Sequence, residues 1–328
     1  MKVVVFNAKR YDQEYFGKTA NTIFQFEYRP EPLSLDTVHF AEGAFAVCIF
    51  VNDDASAPVL EQLAAYGVKG VAIRAAGHDQ TDSETARKLG IHTANVPSYS
   101  PHAISEHTVA MILTMARNLV QADRRVKDYN FELEPLVGFN LHHKTVGIIG
   151  MGKIGSITAK ILKGFGCHLI GFDPYPNIPL AEASGLEYKT LEDVYKSSDI
   201  IIIHAPLNAH TKYLINKESI ALMKDHVMIV NAGRGGILHT GDVIDALKTG
   251  KIGHLGLDVY EKEKGLFFND HTCSIPSDDV FARLLTFKNV LVTAHMAFLT
   301  SNALTNIADT TLENLTAWSN GVNAVNEL

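Results

Sequence analysis

A chain of 328 residues is longer than one ordinary hydrophobic core supports, so its length predicts about two domains. Apolar residues make up 46% and charged residues 20%, which is typical of a globular protein and excludes a disordered or fibrous one. The formal net charge of -7 disfavours a nucleic-acid-binding or anionic-membrane surface, because both would repel a net negative protein.

Cysteine and histidine usage indicates neither a disulfide framework nor a metal site. The three cysteines contain no CxxC pair, and the fifteen histidines are scattered. We expect the adjacent His142 and His143 to form a solvated turn rather than a ligand pair. The start, MKVVVFNAKR, has too short an apolar run for a secretion signal, and no later run approaches membrane-spanning length. We therefore expect a cytoplasmic protein that binds neither membrane nor nucleic acid.

The first hundred residues predict a parallel sheet. Short β-branched runs at residues 2–6, 46–50 and 70–74 alternate with segments of helical periodicity, as in βαβ units. Residues 100–118 then carry apolar side chains at helical spacing, and we interpret them as a helix that connects two domains.

A second alternating series predicts a doubly wound α/β sheet. Its six strand-like runs are residues 145–150, 168–173, 200–204, 227–233, 255–259 and 290–295. The last helical stretch, 302–318, is expected to return to the first domain. The prediction is one discontinuous domain of residues 1–100 and 299–328, with a second domain, residues 101–298, inserted in it.

The sequence GMGKIG at residues 150–155 fits the dinucleotide-binding pattern GxGxxG. A lone match is weak, but this one follows a strand, opens a helix and precedes a second strand. Gly150 permits the tight turn, Gly152 lets the backbone approach a pyrophosphate, and Gly155 allows close packing of helix on strand. The helix N-terminus then faces the phosphates with its partial positive charge.

Asp173 ends the second strand of this series, about twenty residues beyond the glycines. A carboxylate there would accept hydrogen bonds from both adenosine ribose hydroxyls and would repel a 2′-phosphate. The four residues that follow include neither Arg nor Lys, so NAD is favoured over NADP.

Three charged residues lie just beyond the last three predicted strands: Arg234, Glu263 and His295. Strand ends of a doubly wound sheet open on the ligand crevice, so the three side chains can converge. Their types suit reduction of a 2-keto acid. Arg234 would bind the carboxylate in a bidentate way, His295 would donate a proton to the carbonyl oxygen, and Glu263 would favour the protonated imidazole. Taken singly, each is also compatible with a surface or core position.

These motifs resemble those of the D-isomer-specific 2-hydroxyacid dehydrogenase family over nearly the whole chain. The family pattern is GxGxxG with a downstream Asp, NxxRG at residues 231–235, LDVY with a following Glu at residues 257–263, and the late His295. The resemblance implies an α/β fold in which a Rossmann NAD domain is inserted in a flavodoxin-like substrate domain. It also implies at least a homodimer, built from the inserted domains and the connecting helix.

Three further segments resemble the branch of the family that reduces pyruvate to D-lactate: VPSYSPHAISEH (96–107), GLFFND (265–270) and HMAFLT (295–300). Carried over from that branch, the backbone at Ala76 and Gly77 would hold the substrate carboxylate, and Tyr99 and Phe298 would close around its methyl group. Asp258 would bind the nicotinamide carboxamide. The other residues implied to line the cofactor are Lys153, Ile154, Ala205, Pro206, Thr211, Ala232 and Gly233.

One position departs from the branch. His78 stands where an aromatic or aliphatic residue is common, so a larger or hydroxylated 2-keto acid, such as hydroxypyruvate, stays open as the substrate. Alternatively, the side chain of His78 points away from the pocket and does not affect the choice of substrate. An alternative of another class is a non-catalytic NAD-sensing regulator, against which the intact Arg234, Glu263 and His295 argue.

Overall fold

The computed structural model describes residues 1–20, 22–273 and 277–328, and it divides into two compact units. One unit contains residues 1–100 with 299–328, and the other contains residues 101–298. The strands in chain order are β1 (Lys2–Val5), β2 (Gln25–Tyr28), β3 (Ala46–Ile49), β4 (Gly70–Ile73), β5 (His92–Ala94), β6 (Thr145–Ile149), β7 (His168–Phe172), β8 (Leu186–Tyr188), β9 (Ile200–Ile203), β10 (Val227–Asn231), β11 (Ile252–Leu257) and β12 (Val290–Val292). The α-helices are α1 (Arg10–Gly17), α2 (Ala57–Ala65), α3 (Ser83–Lys88), α4 (Pro101–Ala116), α5 (Leu119–Lys127), α6 (Lys153–Gly164), α7 (Ile178–Ser184), α8 (Leu191–Ser197), α9 (Lys217–Leu222), α10 (Thr240–Thr249), α11 (Asp279–Leu285) and α12 (Ser301–Ser319).

The first unit is built on a five-stranded parallel sheet in the order β2-β1-β3-β4-β5. This is the flavodoxin-like order, in which helices cover both faces. The strands β3 and β4 are buried along their whole length, which explains their continuous apolar sequences. Helix α12 packs on β4 at Gly70, where a Cβ atom would lie 2.4 Å from the Trp318 ring.

The second unit is built on a seven-stranded parallel sheet in the order β12-β11-β10-β9-β6-β7-β8. Apart from the added edge strand β12, this is the order of a Rossmann dinucleotide-binding sheet, and the chain reverses direction across the sheet between β6 and β9. One hydrophobic core cluster is centred on Ile201, Ile203 and Ile229, and a second on Ile148, Ile200 and Ile202. Alternate side chains of β9 therefore enter different cores, as both faces of a covered parallel sheet require.

The structure confirms the predicted fold class of two doubly wound α/β sheets and corrects the strand count. The expectation of six strands in the second series was wrong, because β8 adds a seventh. Strands β2 and β5 of the first unit were also missed. All three carry partly exposed or polar residues and are three or four residues long, so they lack the apolar run that marks a buried strand.

The predicted long helix is observed as α4, and it packs against α6, β10 and β11 of the second unit. The adjacent His142 and His143 lie on an exposed turn, as expected. Among the described residues, no helix is long and apolar enough to cross a membrane.

A buried ion pair joins α1 to the carboxyl end of β4. Arg74 and Asp12 are only 2% and 5% exposed, and the Arg74 Nη1 atom lies 2.6 Å from Asp12 Oδ1. The Nη2 atom of Arg74 donates to the Phe6 carbonyl oxygen at the end of β1, at 2.6 Å. A charge so deeply buried requires its partner, since desolvation is otherwise uncompensated.

Replacing Asp12 should therefore destabilise the first unit strongly. We expect Asp12→Ala to lower the free energy of unfolding by about 3–5 kcal/mol, because it leaves the Arg74 charge buried and unpaired. Urea unfolding followed by circular dichroism measures this difference. The exposed Asp36 provides a matched control, and Asp36→Ala should stay within about 0.5 kcal/mol of the parent. Equal stabilities of the two variants would contradict the assigned role of the pair.

Candidate active site

The glycine turn after β6 is shaped by contacts that a side chain would block. Gly150 has a φ of +94°, and a Cβ atom on it would lie 2.7 Å from the backbone of His204 and Ala205. A Cβ atom on Gly155 would lie 2.1 Å from the Gly150 carbonyl oxygen. Gly152, in contrast, is the N-cap of α6, and no atom of the part of the chain that the structure describes lies within 4 Å of its Cβ position. The open space therefore lies in front of the helix N-terminus, where an anionic phosphate group is stabilised.

Asp173 ties the end of β7 to this turn. Its Oδ2 atom accepts a hydrogen bond from the Met151 N–H at 2.7 Å, and Oδ1 accepts one from the Tyr175 N–H at 2.9 Å. An ionised carboxylate has about four acceptor sites, so two remain for ribose hydroxyl groups. Asp173 thus orders the turn and keeps the acceptor capacity that the sequence analysis assigned to it.

The other residues predicted to line the cofactor follow the ends of β9 and β10 or begin α6. Gly233 packs close to the end of β9, since a Cβ atom on it would lie 3.1 Å from the Ala205 carbonyl oxygen. Thr211 donates from Oγ1 to the Pro206 carbonyl oxygen at 2.6 Å. The remaining members are Lys153 and Ile154 in the first turn of α6 and Ala232 beside Gly233. These strand ends flank the reversal point of the sheet, where dinucleotides bind in this fold, so the residues present fit NAD.

His204 is a neutral, partly buried residue beside the glycine turn that the sequence analysis did not identify. Its Nε2 atom lies 3.0 Å from Thr158 Oγ1, and its Nδ1 atom is inaccessible to solvent and has no hydrogen-bond partner among the described residues. Burial lowers the pKa of His204 to about 4. The ring therefore carries no charge at neutral pH.

His295 and Glu263 form a close histidine–carboxylate pair at the candidate site. The Nδ1 atom of His295 lies 2.8 Å from Glu263 Oε1, and both side chains are about five-sixths buried, with 16% and 17% exposed. The second carboxylate oxygen of Glu263 accepts the Tyr260 N–H at 3.2 Å. The Phe268 ring centroid lies 5.8 Å from that of His295. Because Nδ1 faces the Glu263 carboxylate, Nε2 is the ring nitrogen that remains for a further partner.

The backbone that carries His295 is held in a strained turn by Asp258. Ala294 and His295 have φ values of +53° and +59°, a left-handed conformation that costs a residue with a side chain on the order of 1 kcal/mol or more. The Asp258 carboxylate accepts the N–H groups of Met296 at 2.8 Å and Ala297 at 3.0 Å, and its carbonyl oxygen accepts the His295 N–H. The turn and the orientation of His295 therefore depend on this carboxylate.

Asp258 is 1% exposed and nevertheless ionised. Burial by itself would raise the pKa of Asp258, but hydrogen bonds from His107 and Thr293 and the nearby charge of His295 outweigh burial, so its pKa lies below the ordinary value. The resemblance assigns Asp258 to the nicotinamide carboxamide. Its Oδ2 atom has one hydrogen bond from the described residues, which leaves acceptor capacity for that role.

Arg234 stands on the loop after β10, next to the loop that carries Glu263. Asn231 organises this loop: its Nδ2 donates to the Arg234 carbonyl oxygen at 2.9 Å, and its Oδ1 accepts the Gly233 N–H at 3.0 Å. A Cβ atom on Gly235 would lie 2.0 Å from the Tyr260 carbonyl carbon, so only glycine allows the two loops to pack. The structure thus explains why the NxxRG segment has Asn at position 231 and Gly at position 235.

The predicted site residues fall into two groups. Arg234, Glu263 and His295 share the carboxyl edge of the seven-stranded sheet, and Glu263 contacts His295 directly. Phe298 is a buried residue of the same unit, whereas Ala76, Gly77 and Tyr99 belong to the first unit. Sequence reasoning missed His107 and Thr293, and it placed Asn231 in the NxxRG motif without giving the residue a role of its own. A polar side chain on the apolar face of the predicted helix was the available signal for His107.

Fold and site together define an NAD-type dinucleotide-binding α/β protein with a histidine–carboxylate pair at the carboxyl edge of its sheet. Residues 109–297 match the family model described as "D-isomer specific 2-hydroxyacid dehydrogenase, NAD binding domain". The chain belongs to the D-isomer-specific 2-hydroxyacid dehydrogenase family, which confirms the resemblance and the prediction of NAD as cofactor.

Similar proteins match over nearly the full length. A 2-hydroxyacid dehydrogenase homolog of Haemophilus influenzae is 47% identical, covering 96% of this chain and 95% of that protein. The D-lactate dehydrogenase of Escherichia coli is 45% identical over the whole of both chains. The solved structure of a pyruvate reductase of Chlamydomonas reinhardtii has a TM-score of 0.92 and 41% identity, with 99% of this chain and 98% of that chain covered.

Three glycine substitutions should separate folding from cofactor binding. Gly155→Ala places a methyl group against a carbonyl oxygen and should lower stability, whereas Gly152→Ala meets open space and should leave stability unchanged while weakening NADH binding. Gly164→Ala on the same helix is the control, with stability unchanged or raised by up to about 1 kcal/mol. Thermal unfolding and NADH fluorescence titration measure the two effects. Normal NADH binding by Gly152→Ala would argue against this cofactor geometry.

Proposed function

We propose that the protein reduces a small 2-keto acid to the D-2-hydroxy acid with NADH, and that pyruvate and D-lactate are its preferred pair. The observation that carries the proposal is the His295–Glu263 pair at the carboxyl edge of a dinucleotide-binding sheet. The names of the Escherichia coli and Chlamydomonas relatives support the choice of pyruvate.

The proposed roles of the chain's own residues follow from charge and hydrogen bonding. When bound, the nicotinamide supplies the hydride in reduction and accepts it in oxidation. His295 donates the Nε2 proton to the keto oxygen, and in the reverse direction it takes the hydroxyl proton. Glu263 holds the ring through Nδ1 and is the counter-charge for the imidazolium. Arg234 binds the substrate carboxylate, a task for which a planar guanidinium is suited.

A substrate panel tests the proposal. The purified protein is mixed with NADH and pyruvate, hydroxypyruvate, 2-ketobutyrate or phenylpyruvate, and the chirality of the product is determined. We expect pyruvate to give the highest kcat/KM and D-lactate as product. Turnover of none of these acids, with NADH bound, would refute the proposal and favour a regulator that senses NAD.

A second candidate substrate is a hydroxylated or bulkier keto acid. The observation behind it is His78, an exposed polar side chain directly after Gly77. The substrate-binding roles of Ala76, Gly77, Tyr99 and Phe298 stay predictions from the family resemblance. A higher kcat/KM for hydroxypyruvate than for pyruvate would favour this candidate over the first.

His295→Gln should abolish most of the turnover while the protein still binds NADH. A positioned acid contributes about 10² to 10⁴ in rate, so a loss of that size in pyruvate reduction is expected. Glu263→Gln should give a smaller loss, because it keeps an acceptor for Nδ1 and removes only the charge. The exposed His168 on β7 provides the control, since His168→Gln should turn over normally. Near-normal activity of His295→Gln would remove His295 from the mechanism.

We also propose that the protein is a homodimer, as the family resemblance implies. Helix α5 and the following residues expose apolar side chains to an unusual extent, among them Tyr129 at 85% and Val137 at 81%. Other exposed apolar residues of this 119–137 segment are Leu119, Val120, Val126, Phe131 and Leu133. A groove of about 510 Å³ beside it is lined by Val120, Phe287 and Val290. A second copy of the same surface would cover these groups. A cytoplasmic location stays a prediction from the sequence.

Light scattering after size exclusion tests the dimer. The parent protein should have twice the mass of one 35.9 kDa chain, and Phe131→Asp with Leu133→Asp should shift it to the monomer. Val325→Asp changes an exposed apolar residue of the other unit and should leave the mass unchanged. A dimeric double variant would place the interface elsewhere.

A further inference from the structure

His107 lies on α4 beside the carboxylate that holds the His295 turn. Its side chain is 18% exposed, and its Nε2 atom lies 3.0 Å from Thr293 Oγ1 and 3.5 Å from Asp258 Oδ1. Thr293 directly follows β12, and Asp258 directly follows β11. The imidazole thus reaches from a helix to the ends of the two strands whose loops carry the acid–base pair.

The direction of the hydrogen bonds follows from the distances. Thr293 Oγ1 lies 2.6 Å from Asp258 Oδ1, and a carboxylate oxygen can only accept, so the Thr293 hydroxyl donates to Asp258. The Thr293 oxygen must then accept from His107, which puts a proton on His107 Nε2. The same Nε2 atom lies 3.5 Å from Asp258 Oδ1, within ion-pair distance of the carboxylate. The chain of donors therefore runs from His107 through Thr293 to the buried carboxylate.

We propose that His107 is a positioning residue for the acid–base reaction: its Nε2–H, directly and through Thr293, keeps Asp258 ionised and thereby holds the left-handed turn that orients His295. This role rests on the proposed function. His107 acts through Asp258, because it is Asp258 that holds the N–H groups of Met296 and Ala297.

The proposal predicts a specific pH dependence. The titratable side chains that the described structure places against Asp258 are His107 from α4 and His295 after β12, and Glu263 in turn faces His295. Without the His107 donor, burial dominates and the pKa of Asp258 rises. The carboxyl group then takes up a proton as the pH falls, and a neutral carboxyl holds two N–H groups more weakly than a carboxylate does. A variant without the His107 donor should therefore lose more activity, relative to the parent enzyme, as the pH falls. The comparison is clean there, because acidic pH supplies the proton that keto-acid reduction consumes.

Two substitutions of His107 with a control on the same helix test the proposal. His107→Phe keeps a flat ring without a donor, whereas His107→Gln places an amide N–H near the position of Nε2. The control is His102→Gln, at an exposed position in the first turn of α4. The kcat for pyruvate reduction is measured from pH 5 to 8, with NADH affinity and thermal stability determined in parallel.

We expect His107→Phe to lose about tenfold to a hundredfold in kcat at the acidic end and less at pH 8, with NADH affinity changed little. His107→Gln should recover most of the activity, and His102→Gln should match the parent. Equal losses in the Phe and Gln variants at every pH would overturn the proposal, because they would indicate packing rather than donation. Full activity of His107→Phe would overturn it as well.

Nuclear magnetic resonance of ¹⁵N-histidine-labelled protein provides a readout that does not require turnover. We expect the proton of His107 on Nε2, and a change of the His295 ring signals in His107→Phe but not in His102→Gln. A His107 proton found on Nδ1 alone would contradict the donor chain. If the parent protein reduces no keto acid, the proposed function fails, and the resonance data still decide the hydrogen-bond arrangement.

Discussion

The candidate active site depends on the hydrogen bonds that the buried carboxylate of Asp258 accepts from the turn after β12. Ala294 and His295 both adopt the left-handed conformation, which costs free energy. The Asp258 carboxylate offsets this cost by accepting hydrogen bonds from the N–H groups of the two residues that follow them. Without a fixed acceptor, such a turn would relax toward a more populated backbone conformation. Strain at the site is thus balanced by hydrogen bonds to one carboxylate, and His107 on α4 and Thr293 just after β12 help to lower the pKa of that group.

The cofactor side of the same sheet edge is governed by close approach of backbone segments. Gly150 contacts the end of β9, Gly155 contacts Gly150, and Gly235 contacts the loop after β11. Each contact is shorter than a Cβ atom permits, so glycine is a packing requirement there. The one glycine of the turn with open space, Gly152, faces the place where a phosphate would bind. Packing and binding are therefore divided among different glycines of one motif.

Much of the fold and of the candidate site could be predicted from the chain itself. Fully buried strands such as β9, which consists of four isoleucines, can be recognised from the sequence because the side chains on both faces must be apolar. Charged residues just after predicted strands, like Arg234 after the buried β10, can be placed at the open sheet edge by topology alone. The edge strand β8 was not predicted, because a half-exposed strand has no continuous run of apolar residues. Asn231 was placed in the NxxRG motif, but its role could not be predicted, because that role consists of hydrogen bonds to the backbone of its own loop.

The sequence by itself determined the fold class, the NAD-binding family and the chemical types gathered at the sheet edge. These follow from apolar periodicity and from short motifs whose residues act near one another in the chain. Only the tertiary structure decided that Nδ1 of His295 faces Glu263, that Asp258 holds the left-handed turn, and that His107 reaches Thr293 across 186 residues of chain. Hydrogen bonds of this kind depend on angstrom-scale packing of helix α4 against strand ends, and a linear pattern of residue types carries no such distances.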